Sequence, residues 1–496
     1  MIQNDETTNM AQDNLKEKTA KGLLWGMLSN GGMQVLNVVF GIVLANILSP
    51  GDYGLIAMLT IFSNIADALQ ESGFISALIN RKNITRLDLC SIFWFNVGVG
   101  FVLYLILWFF APLIADYNGQ PVLVPLARYA FVGFFIASFS IVPRAMLMKE
   151  MKVRELAISS LLSLLISGIV SIVMALCGMA FWGLATQSIV YVLCGVLFSW
   201  YFYRFRPSLQ FSLKPIKEMF GFSCKMLITR VFNSVNRYTF ETFLGGFYKD
   251  YEVGYYSQAN KWNTMGSQFI MGMVQGVAQP MFVKMGDDEE RLRRAFRKML
   301  RFTCFLSFPL MLGLCLVVPE FIDIALPKWH ACIPLMQMLC VGGAFMPVAT
   351  LYFNLIISRG KSDIYMWNMI VQSLFILFDL FAVQYFDLCW LGLKGISLMV
   401  LIYVLILVTW TFVWQFFLKR ELRLGFLPAL RDILPFLVIA VVTMTATYFI
   451  VSGITNIYLS LVAKIIIAAA IYCGLTYLSG AKIMRECLNY LLHKKG

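Results

Sequence analysis

The sequence predicts an all-α polytopic membrane protein of about fourteen transmembrane helices, arranged as two parallel-repeat six-helix lobes followed by two C-terminal helices. Three observations predict this fold class. Apolar stretches of about 20 residues, the length that crosses a bilayer, recur along nearly the whole chain. Lysine and arginine are concentrated in alternate connections between these stretches, and the second half of the chain repeats features of the first half.

The composition indicates that most of the chain is surrounded by lipid. Of the 496 residues, 59% are hydrophobic and only 14% are charged, and the mean hydropathy is +0.75. Soluble domains carry about 25% charged residues, so a soluble enzyme is excluded. Residues 1–20 are polar and lack the apolar core of a signal peptide, so we expect the first hydrophobic span to direct insertion.

Apolar runs separated by polar clusters define the predicted spans and lobes. Residues 1–20 are predicted to be a cytoplasmic N-terminal segment, and residues 480–496 a cytoplasmic amphipathic tail. Between them, the predicted parts are an N-lobe at 21–204 (spans 1–6), a cytoplasmic linker at 205–217, a C-lobe at 218–418 (spans 7–12) and spans 13–14 at 419–479. The predicted spans are 21–46, 53–79, 90–114, 122–143, 155–176, 180–203, 218–246, 252–282, 299–325, 333–357, 364–386, 392–417, 433–452 and 457–479.

The distribution of basic residues predicts the orientation of the chain. With the N-terminus in the cytoplasm, 31 of the 40 lysines and arginines fall on the cytoplasmic side and three in the outer loops. Cytoplasmic loops of membrane proteins carry this excess, so both termini are predicted to be cytoplasmic. The same bias explains the formal net charge of +13 without a nucleic-acid partner.

The second half of the chain repeats positions of the first half. Lys152 matches Lys361 at an offset of 209 residues, and Gly54 matches Gly254 at an offset of 200. Each copy has an even number of spans, so the two copies share one orientation and form a parallel repeat. Transporters with such repeats place the substrate site between the halves and work by alternating access.

Basic residues inside the predicted spans need a specific reason, because a charge at the bilayer centre costs about 2.5–3.5 kcal/mol on insertion scales. Lys225 and Lys464 lie near enough to span ends to be predicted to snorkel to the interface, and Arg128 is open to the same interpretation. Lys261 lies with Gln258 in a looser polar stripe on span 8.

Span 7 carries a polar stripe that snorkelling does not explain. Arg230 and Arg237 lie two helical turns apart. Asn233 and Glu241 fall at the same helical spacing, so the stripe is predicted to face a wet cavity or another helix. A structural ion pair between Arg237 and Glu241 at i, i+4 is the alternative interpretation.

Span 1 carries neutral residues where span 7 has arginines. Gln34 and Asn37 belong to this first stripe, and Asn37 lies opposite Arg237 at an offset of 200. Guanidinium groups bind phosphate oxygens bidentately, and amides suit sugar hydroxyls, so the predicted substrate is anionic, phosphate-bearing and glycosylated. The predicted substrate-binding residues are Arg230, Arg237, Lys261, Arg128, Asn37, Gln34 and Asn233.

No sequence pattern indicates catalysis. The chain has no Walker A, HExxH or GxSxG motif and no CxxC pair, and its histidines are His330 and His493. The protein is therefore predicted to be no enzyme and to hold no metal or cofactor.

Several segments in a fixed order resemble the polysaccharide transporter (O-antigen and exopolysaccharide flippase-like) family of the multidrug/oligosaccharidyl-lipid/polysaccharide exporter superfamily. The resemblance runs over nearly the whole chain and is strongest in the order and spacing of its parts. Three of the segments are LANILSPGDYGLIAM at 44–58, PRAMLMKEMKVRELA at 143–157 and GFYKDYEVGYYSQANKW at 246–262.

The resemblance implies a flippase in the bacterial inner membrane that moves undecaprenyl-diphosphate-linked oligosaccharide units for O-antigen, capsule or exopolysaccharide synthesis. It also implies coupling to a proton or sodium gradient, for which Glu241, Asp67 and Glu71 are the predicted residues. The expected partners are the lipid-linked oligosaccharide, membrane lipids, a polysaccharide polymerase and glycosyltransferases, and we expect a monomer. The alternative is a cation-coupled multidrug exporter of the same superfamily, which the bias towards buried basic residues disfavours.

Overall fold

The computed structural model describes residues 31–71, 84–150, 152–217, 240–285, 288–359 and 361–479, together with Ile75 and Leu78. Besides short helical stretches at 213–217 and 240–244 and a 3-10 helix at Pro327–Cys332, these ranges contain fifteen α-helices and one small hairpin. The helices are α1 Gly31–Ile47, α2 Pro50–Glu71, α3 Arg86–Asn118, α4 Leu123–Ala130, α5 Val132–Ser138, α6 Ile141–Lys149, α7 Val153–Leu176, α8 Ala180–Phe202, α9 Asp250–Met285, α10 Glu289–Ala325, α11 Ile333–Ser358, α12 Ser362–Tyr385, α13 Gly395–Leu422, α14 Phe426–Val451 and α15 Ile457–Leu478, and the strands are β1 Cys389–Trp390 and β2 Leu393–Lys394.

The helices coincide with the predicted spans and confirm an all-α polytopic membrane protein. Within the described ranges, nine helices are long and apolar enough to cross a membrane, and α4 to α6 add a tenth span that bends by 47°. The helix α9 covers predicted span 8, and α1 and α2 cover the described parts of predicted spans 1 and 2 at 31–46 and 53–71. Predicted span 7 lies mostly outside the described residues.

The fourth span is broken because its own side chains compete with the backbone for hydrogen bonds. The Ser138 hydroxyl donates to the Phe135 carbonyl at 2.6 Å, and the Ser140 hydroxyl donates to the Ala137 carbonyl at 2.8 Å. Such bonds take up carbonyls that the helix would otherwise use. Pro143 follows within α6 and lacks a backbone N–H, which further disfavours a continuous helix.

The chain forms two compact units, Met1–Gly254 and Tyr255–Gly496. In the first unit α7 packs along α8, and α3 packs against α4 and α5; in the second, α10 packs against α11, α14 and α15. The predicted linker at 205–217 precedes this division, and residues 218–239 between them lie outside the described residues. The lobe boundaries therefore stay a prediction.

The starts of α2 and α9 are built in the same way, as expected for a duplicated chain. The Ser49 N–H donates to the Asp52 carboxylate at 2.8 Å, and the Lys249 N–H donates to the Glu252 carboxylate at 3.1 Å. Each carboxylate reaches back to the residue three positions earlier, which satisfies a backbone donor that a helix start leaves unpaired. The two pairs are separated by the same offset of 200 residues that relates Gly54 to Gly254.

Gly54 and Gly254 bring the first turns of α2 and α9 into backbone contact within the first unit. A Cβ on Gly54 would lie 1.8 Å from the carbonyl oxygen of Asp250. A Cβ on Gly254 would lie 1.8 Å from the carbonyl oxygen of Pro50. The contact is reciprocal, because each glycine meets the residue that begins the other helix. Small residues are what allow helices in membranes to approach this closely.

An ion pair inside the second unit attaches α15 to α10. The Lys464 ammonium lies 2.5 Å from a carboxylate oxygen of Glu320, which also accepts a hydrogen bond of 2.9 Å from the Ser460 hydroxyl. Lys464 and Glu320 are only 7% and 9% exposed. The prediction that Lys464 snorkels to an interface is wrong, because a carboxylate on a neighbouring helix compensates its charge inside the unit.

A second carboxylate attaches α14 to the start of α10. Arg297 binds Asp432 bidentately, with its Nε 2.6 Å from Oδ2 and its Nη2 3.1 Å from Oδ1. The Nε of Arg301 lies 3.1 Å from the same Oδ1, as an ion pair without hydrogen-bond geometry. Asp432 is 4% exposed, so the two guanidinium groups balance a carboxylate that is almost fully removed from solvent.

The duplicated lysines both stand at helix starts and both pair with glutamate. Lys152 precedes α7 and lies 2.7 Å from Glu150, and this hydrogen bond raises the pKa of Lys152. Lys361 precedes α12 and lies 2.5 Å from Glu421. The two lysines of the repeat therefore share a position immediately before a helix, although their glutamate partners come from different parts of the chain.

Candidate functional site

The first unit contains a partly open cavity of about 520 Å³, a size within the usual range of small-molecule sites. It is lined by α1, the broken fourth span, α7 and α8. Its wall is rich in hydroxyl and amide groups, of which Asn37, Ser140, Ser163, Ser167, Gln187 and Ser199 are examples.

Serines on one face of α7 form the largest polar part of this wall. Ser159, Ser163 and Ser167 follow one another at four-residue spacing, which places them on the same side of the helix. The Ser167 hydroxyl donates to the Leu164 carbonyl of its own helix at 3.1 Å. Ser163 is 1% exposed, and its hydroxyl has no hydrogen-bond partner. The hydroxyl lies beside Gly195 of α8, where a Cβ would be 3.9 Å away.

The charge of the cavity wall argues against a cationic ligand. Of the described residues that line it, Arg144 alone is charged, and Arg144 is exposed. A site for an organic cation would place carboxylates against the positive charge, because a buried charge needs a compensating partner. The wall instead offers neutral groups that both donate and accept hydrogen bonds.

A second, smaller cavity of about 260 Å³ adjoins the first. The two share Ser188 and Val192 of α8 in their walls. The smaller cavity is mostly apolar, with Ile56, Leu59 and Phe134 among its lining residues. The first unit therefore combines a hydroxyl-rich space with a neighbouring apolar one.

Two of the residues predicted to bind substrate lie on α1. Asn37 lines the larger cavity, and Gln34 lies half-buried one helical turn earlier. Arg128 lines neither cavity: its guanidinium carbon lies 3.8 Å from the centre of the Trp108 ring, and its Nε donates to the Trp108 carbonyl at 3.5 Å. A cation above an indole face is stabilised where it is, so this contact helps to pack α4 against α3. The predicted substrate-binding role of Arg128 stays a prediction.

The remaining predicted residues lie partly inside and partly outside the described ranges. Glu241 is buried in the first unit at 6% exposure, and Lys261 is half-buried on α9 in the second unit. Arg230, Asn233 and Arg237 lie outside the described residues, as do the side chains of Asp67 and Glu71. The predicted roles of the span-7 arginine stripe and of all three coupling carboxylates therefore stay predictions.

The second unit contains a buried carboxylate that the predicted site did not include. Asp379 lies on α12 at 3% exposure, and both of its carboxylate oxygens lack a hydrogen-bond partner. Asn368 and Gln372 are buried on the same helix. A carboxylate in such a place requires a proton, a cation or a partner that arrives in another conformation.

The cavity-lining serines of α7 were not among the predicted site residues, but the sequence does contain a pattern that marks them. Serine at four-residue spacing inside an apolar span, as in Ser159, Ser163 and Ser167, marks a continuous polar strip on one helix face. The strip alone does not distinguish close helix packing from a cavity wall, because small residues also serve packing. The cavity itself could be recognised only from the structure.

Comparison with known proteins places the chain among proteins of surface polysaccharide synthesis. A family model described as "Polysaccharide biosynthesis protein" matches residues 43–334. The lipopolysaccharide biosynthesis protein WzxC of Escherichia coli K12 is 28% identical over 370 residues, which cover 73% of this chain and 74% of WzxC. The succinoglycan biosynthesis transport protein ExoT of Rhizobium meliloti is 24% identical over 350 residues, which cover 70% of this chain and 71% of ExoT.

A solved structure shares the fold. The lipid II flippase MurJ, in an inward closed conformation, matches with a TM-score of 0.74 at 13% identity. The match covers 93% of this chain and 100% of the MurJ chain. At 13% identity this likeness shows the fold alone and does not identify the substrate.

Proposed function

Because the chain belongs to the polysaccharide biosynthesis protein family, we propose that it is a flippase that carries lipid-linked oligosaccharides across the bacterial cytoplasmic membrane. The observation that carries the proposal is the similarity to WzxC and ExoT over more than two thirds of each chain, together with the fold of a lipid II flippase. The cargo is an undecaprenyl-diphosphate-linked repeat unit, and movement occurs by alternating access. The described fold serves transport, and the protein performs no catalysis.

The proposed orientation has both termini in the cytoplasm. The count of 31 basic residues on one side against three on the other supports it. The proposed partners are the lipid-linked oligosaccharide and the membrane, with glycosyltransferases acting before the flippase and a polymerase after it on the same glycan. The protein works as a monomer.

A cation-coupled multidrug exporter is the alternative with the same fold. The cavity of the first unit disfavours it, because the described lining residues include no carboxylate. Deletion of the gene separates the two functions. A flippase deletion loses surface glycan and accumulates lipid-linked units in the inner leaflet, with unchanged drug resistance. Increased drug sensitivity with normal surface glycan would identify an exporter instead.

Arg230 and Arg237 are proposed to bind the diphosphate of the cargo. Replacing either residue by alanine is expected to reduce surface glycan by about tenfold or more, because a lost charge-assisted pair is worth about 1.5–3 kcal/mol. Surface glycan and membrane-inserted protein are measured in the same cells. Arg206→Ala, at an exposed arginine beyond α8, is the matched control and is expected to leave export unchanged. Normal export in both span-7 variants would remove these arginines from the mechanism.

Transport is proposed to be coupled to a proton or sodium gradient through carboxylates inside the predicted spans, namely Asp379 together with Glu241, Asp67 and Glu71. Asp379→Asn keeps the shape of the side chain and removes its charge. In liposomes, we expect this variant to lose the stimulation of flipping by an imposed gradient. Asp323→Asn is the control, because Asp323 is more exposed and bonds to His330 at 2.8 Å. A variant at Asp379 that responds to both gradients as the wild type does would exclude it as a coupling residue.

A further inference from the structure

The connection between α12 and α13 is a hairpin with large apolar side chains on its surface. Its strands β1 and β2 pair Cys389 with Lys394 and Trp390 with Leu393. Trp390 is 51% exposed and Leu391 is 75% exposed. Among the described residues, the hairpin packs mainly against the start of α13. A two-stranded hairpin is only marginally stable by itself in water, so we expect a further surface to cover these side chains.

Leu391 occupies a turn position that disfavours leucine. Leu391 and Gly392 connect the two strands with φ angles of 52° and 75°. Positive φ at both central residues is the mark of a type I′ turn, in which asparagine and glycine are preferred. In water, Leu391 would carry the cost of this backbone conformation and also expose an apolar side chain. Contact with lipid would remove the second cost and explain the choice of leucine at the tip.

The first copy of the repeat shows that the hairpin stands where the other copy has a helix. The helices α7 and α12 are both 24 residues long, and their ends are related by an offset of 209 residues. At this offset, residues 389–394 correspond to residues 180–185, which form the start of α8. Leu391 corresponds to Trp182, whose ring packs 5.5 Å from the ring of Tyr129 on α4. The first copy therefore covers with protein a position that the second copy turns outward.

The surface next to the hairpin belongs to a membrane span. The helix α12 is long and apolar enough to cross a membrane. Phe378, Phe381 and Tyr385 are exposed and follow one another at helical spacing, so they lie on one face of α12. Phe386 comes next, with its ring 5.1 Å from that of Tyr385. The apolar face of the span therefore continues into the connection, at the level where membrane proteins place aromatic side chains.

The connection between α14 and α15 shows what the chain places at the end of another span. Ser452, Thr455 and Asn456 are exposed there, and no large apolar side chain is exposed at 452–456. The Asn456 side chain accepts hydrogen bonds from the backbone N–H groups at the start of α15. A polar connection of this kind suits water, so the apolar hairpin is a distinct feature of the α12–α13 connection.

We propose that the β1–β2 hairpin is a membrane anchor whose tip, Trp390 and Leu391, inserts into the lipid at the boundary between acyl chains and headgroups. The partner is the bilayer itself, in the outer leaflet if the orientation proposed above holds. The anchor fixes the depth of the end of α12, the helix that carries Asp379. The inference depends on the membrane-spanning fold and is independent of which cargo the protein carries.

Quenching by brominated lipids tests this contact on the purified full-length protein. Reconstitution at one molecule per nanodisc excludes a second copy and any other partner protein. The emission of Trp390 is isolated as the difference between the wild type and Trp390→Phe. We expect bromine near the headgroup end of the acyl chains to quench at least about half of this emission, and aqueous acrylamide to quench little of it. Emission that acrylamide quenches and brominated lipid does not would overturn the proposal and leave the tip to a protein partner.

Two variants control for the position and the folding of the hairpin. Thr455→Trp adds an indole to the polar α14–α15 connection, and we expect acrylamide to quench it and brominated lipid to spare it. Leu391→Asn removes the apolar tip and keeps the turn, because Asn-Gly is a preferred pair for a type I′ turn. We expect this variant to lower the bromine quenching of Trp390 by about twofold or more. Unchanged quenching in Leu391→Asn, or equal bromine quenching at both connections, would overturn the anchor.

Discussion

Adding one methyl group at Gly54 is expected to destabilise the protein by about 3 kcal/mol and to abolish export, at the upper end of the usual cost of overpacking. The reason is that the new Cβ would lie 1.8 Å from the Asp250 carbonyl oxygen, which is backbone and cannot rotate away. The first turns of α2 and α9 would have to separate. Thermal unfolding of the purified protein in detergent measures the stability, and surface glycan in a complemented deletion strain measures export.

Because the contact is reciprocal, a second glycine variant provides an independent test of the same prediction. Gly254→Ala is expected to have the same effect as Gly54→Ala, because its Cβ would lie 1.8 Å from the Pro50 carbonyl oxygen. The double variant is expected to cost clearly less than the sum of the two, since helices that are already separated accommodate the second methyl group.

The control for this prediction is a glycine in open space. Gly98 lies in the middle of α3 and a Cβ there would have no neighbour within 4 Å. Gly98→Ala is expected to be neutral or to stabilise the helix by up to about 1 kcal/mol. If Gly54→Ala unfolds at the same temperature as Gly98→Ala, the backbone contact between α2 and α9 does not exist.

Removing either partner of the Glu320–Lys464 pair is expected to have the second-largest effect. Lys464→Ala leaves a carboxylate buried without a cation, which costs about 3–5 kcal/mol. Glu320→Ala leaves the converse charge and is expected to be equally harmful. The double variant Glu320→Gln with Lys464→Met is expected to recover much of the loss, because it removes both charges and keeps the volume. Unfolding in detergent measures all three variants.

An exposed ion pair provides the matched control. Arg294 and Glu290 lie 3.9 Å apart on α10 with side chains that are 75% and 71% exposed. Arg294→Ala is expected to change the free energy of unfolding by less than about 0.5 kcal/mol, as for other surface pairs. A double variant no more stable than Lys464→Ala alone would show that the pair has a role beyond compensating charge.

The spans could be predicted from sequence because each depends on local composition. A helix such as α13 contains almost only apolar residues over a membrane-spanning length, and no distant contact is needed to recognise it. The repeat could be predicted for the same reason, since Gly54 and Gly254 are identical residues at a constant offset.

The sequence could not predict the buried ion pair or the cavity, because both depend on contacts between helices that are far apart in the chain. Lys464 has no acidic neighbour within a helical turn, so nothing local indicates that Glu320 of α10 compensates it. The cavity beside Ser163 is equally non-local, because it depends on how four elements leave a space between them. Asp379 could be recognised as a buried acid, but the sequence does not show that its carboxylate has no partner.

The Glu320–Lys464 pair also constrains how the protein is made. Chains are synthesised from the N-terminus, so α10 with its glutamate enters the membrane well before α15 leaves the ribosome. During that interval the carboxylate has no cation of its own, and α15 in turn must insert carrying a lysine. A chain that terminates before Lys464 therefore keeps an uncompensated acid inside the bilayer, so α15 completes the charge balance of α10.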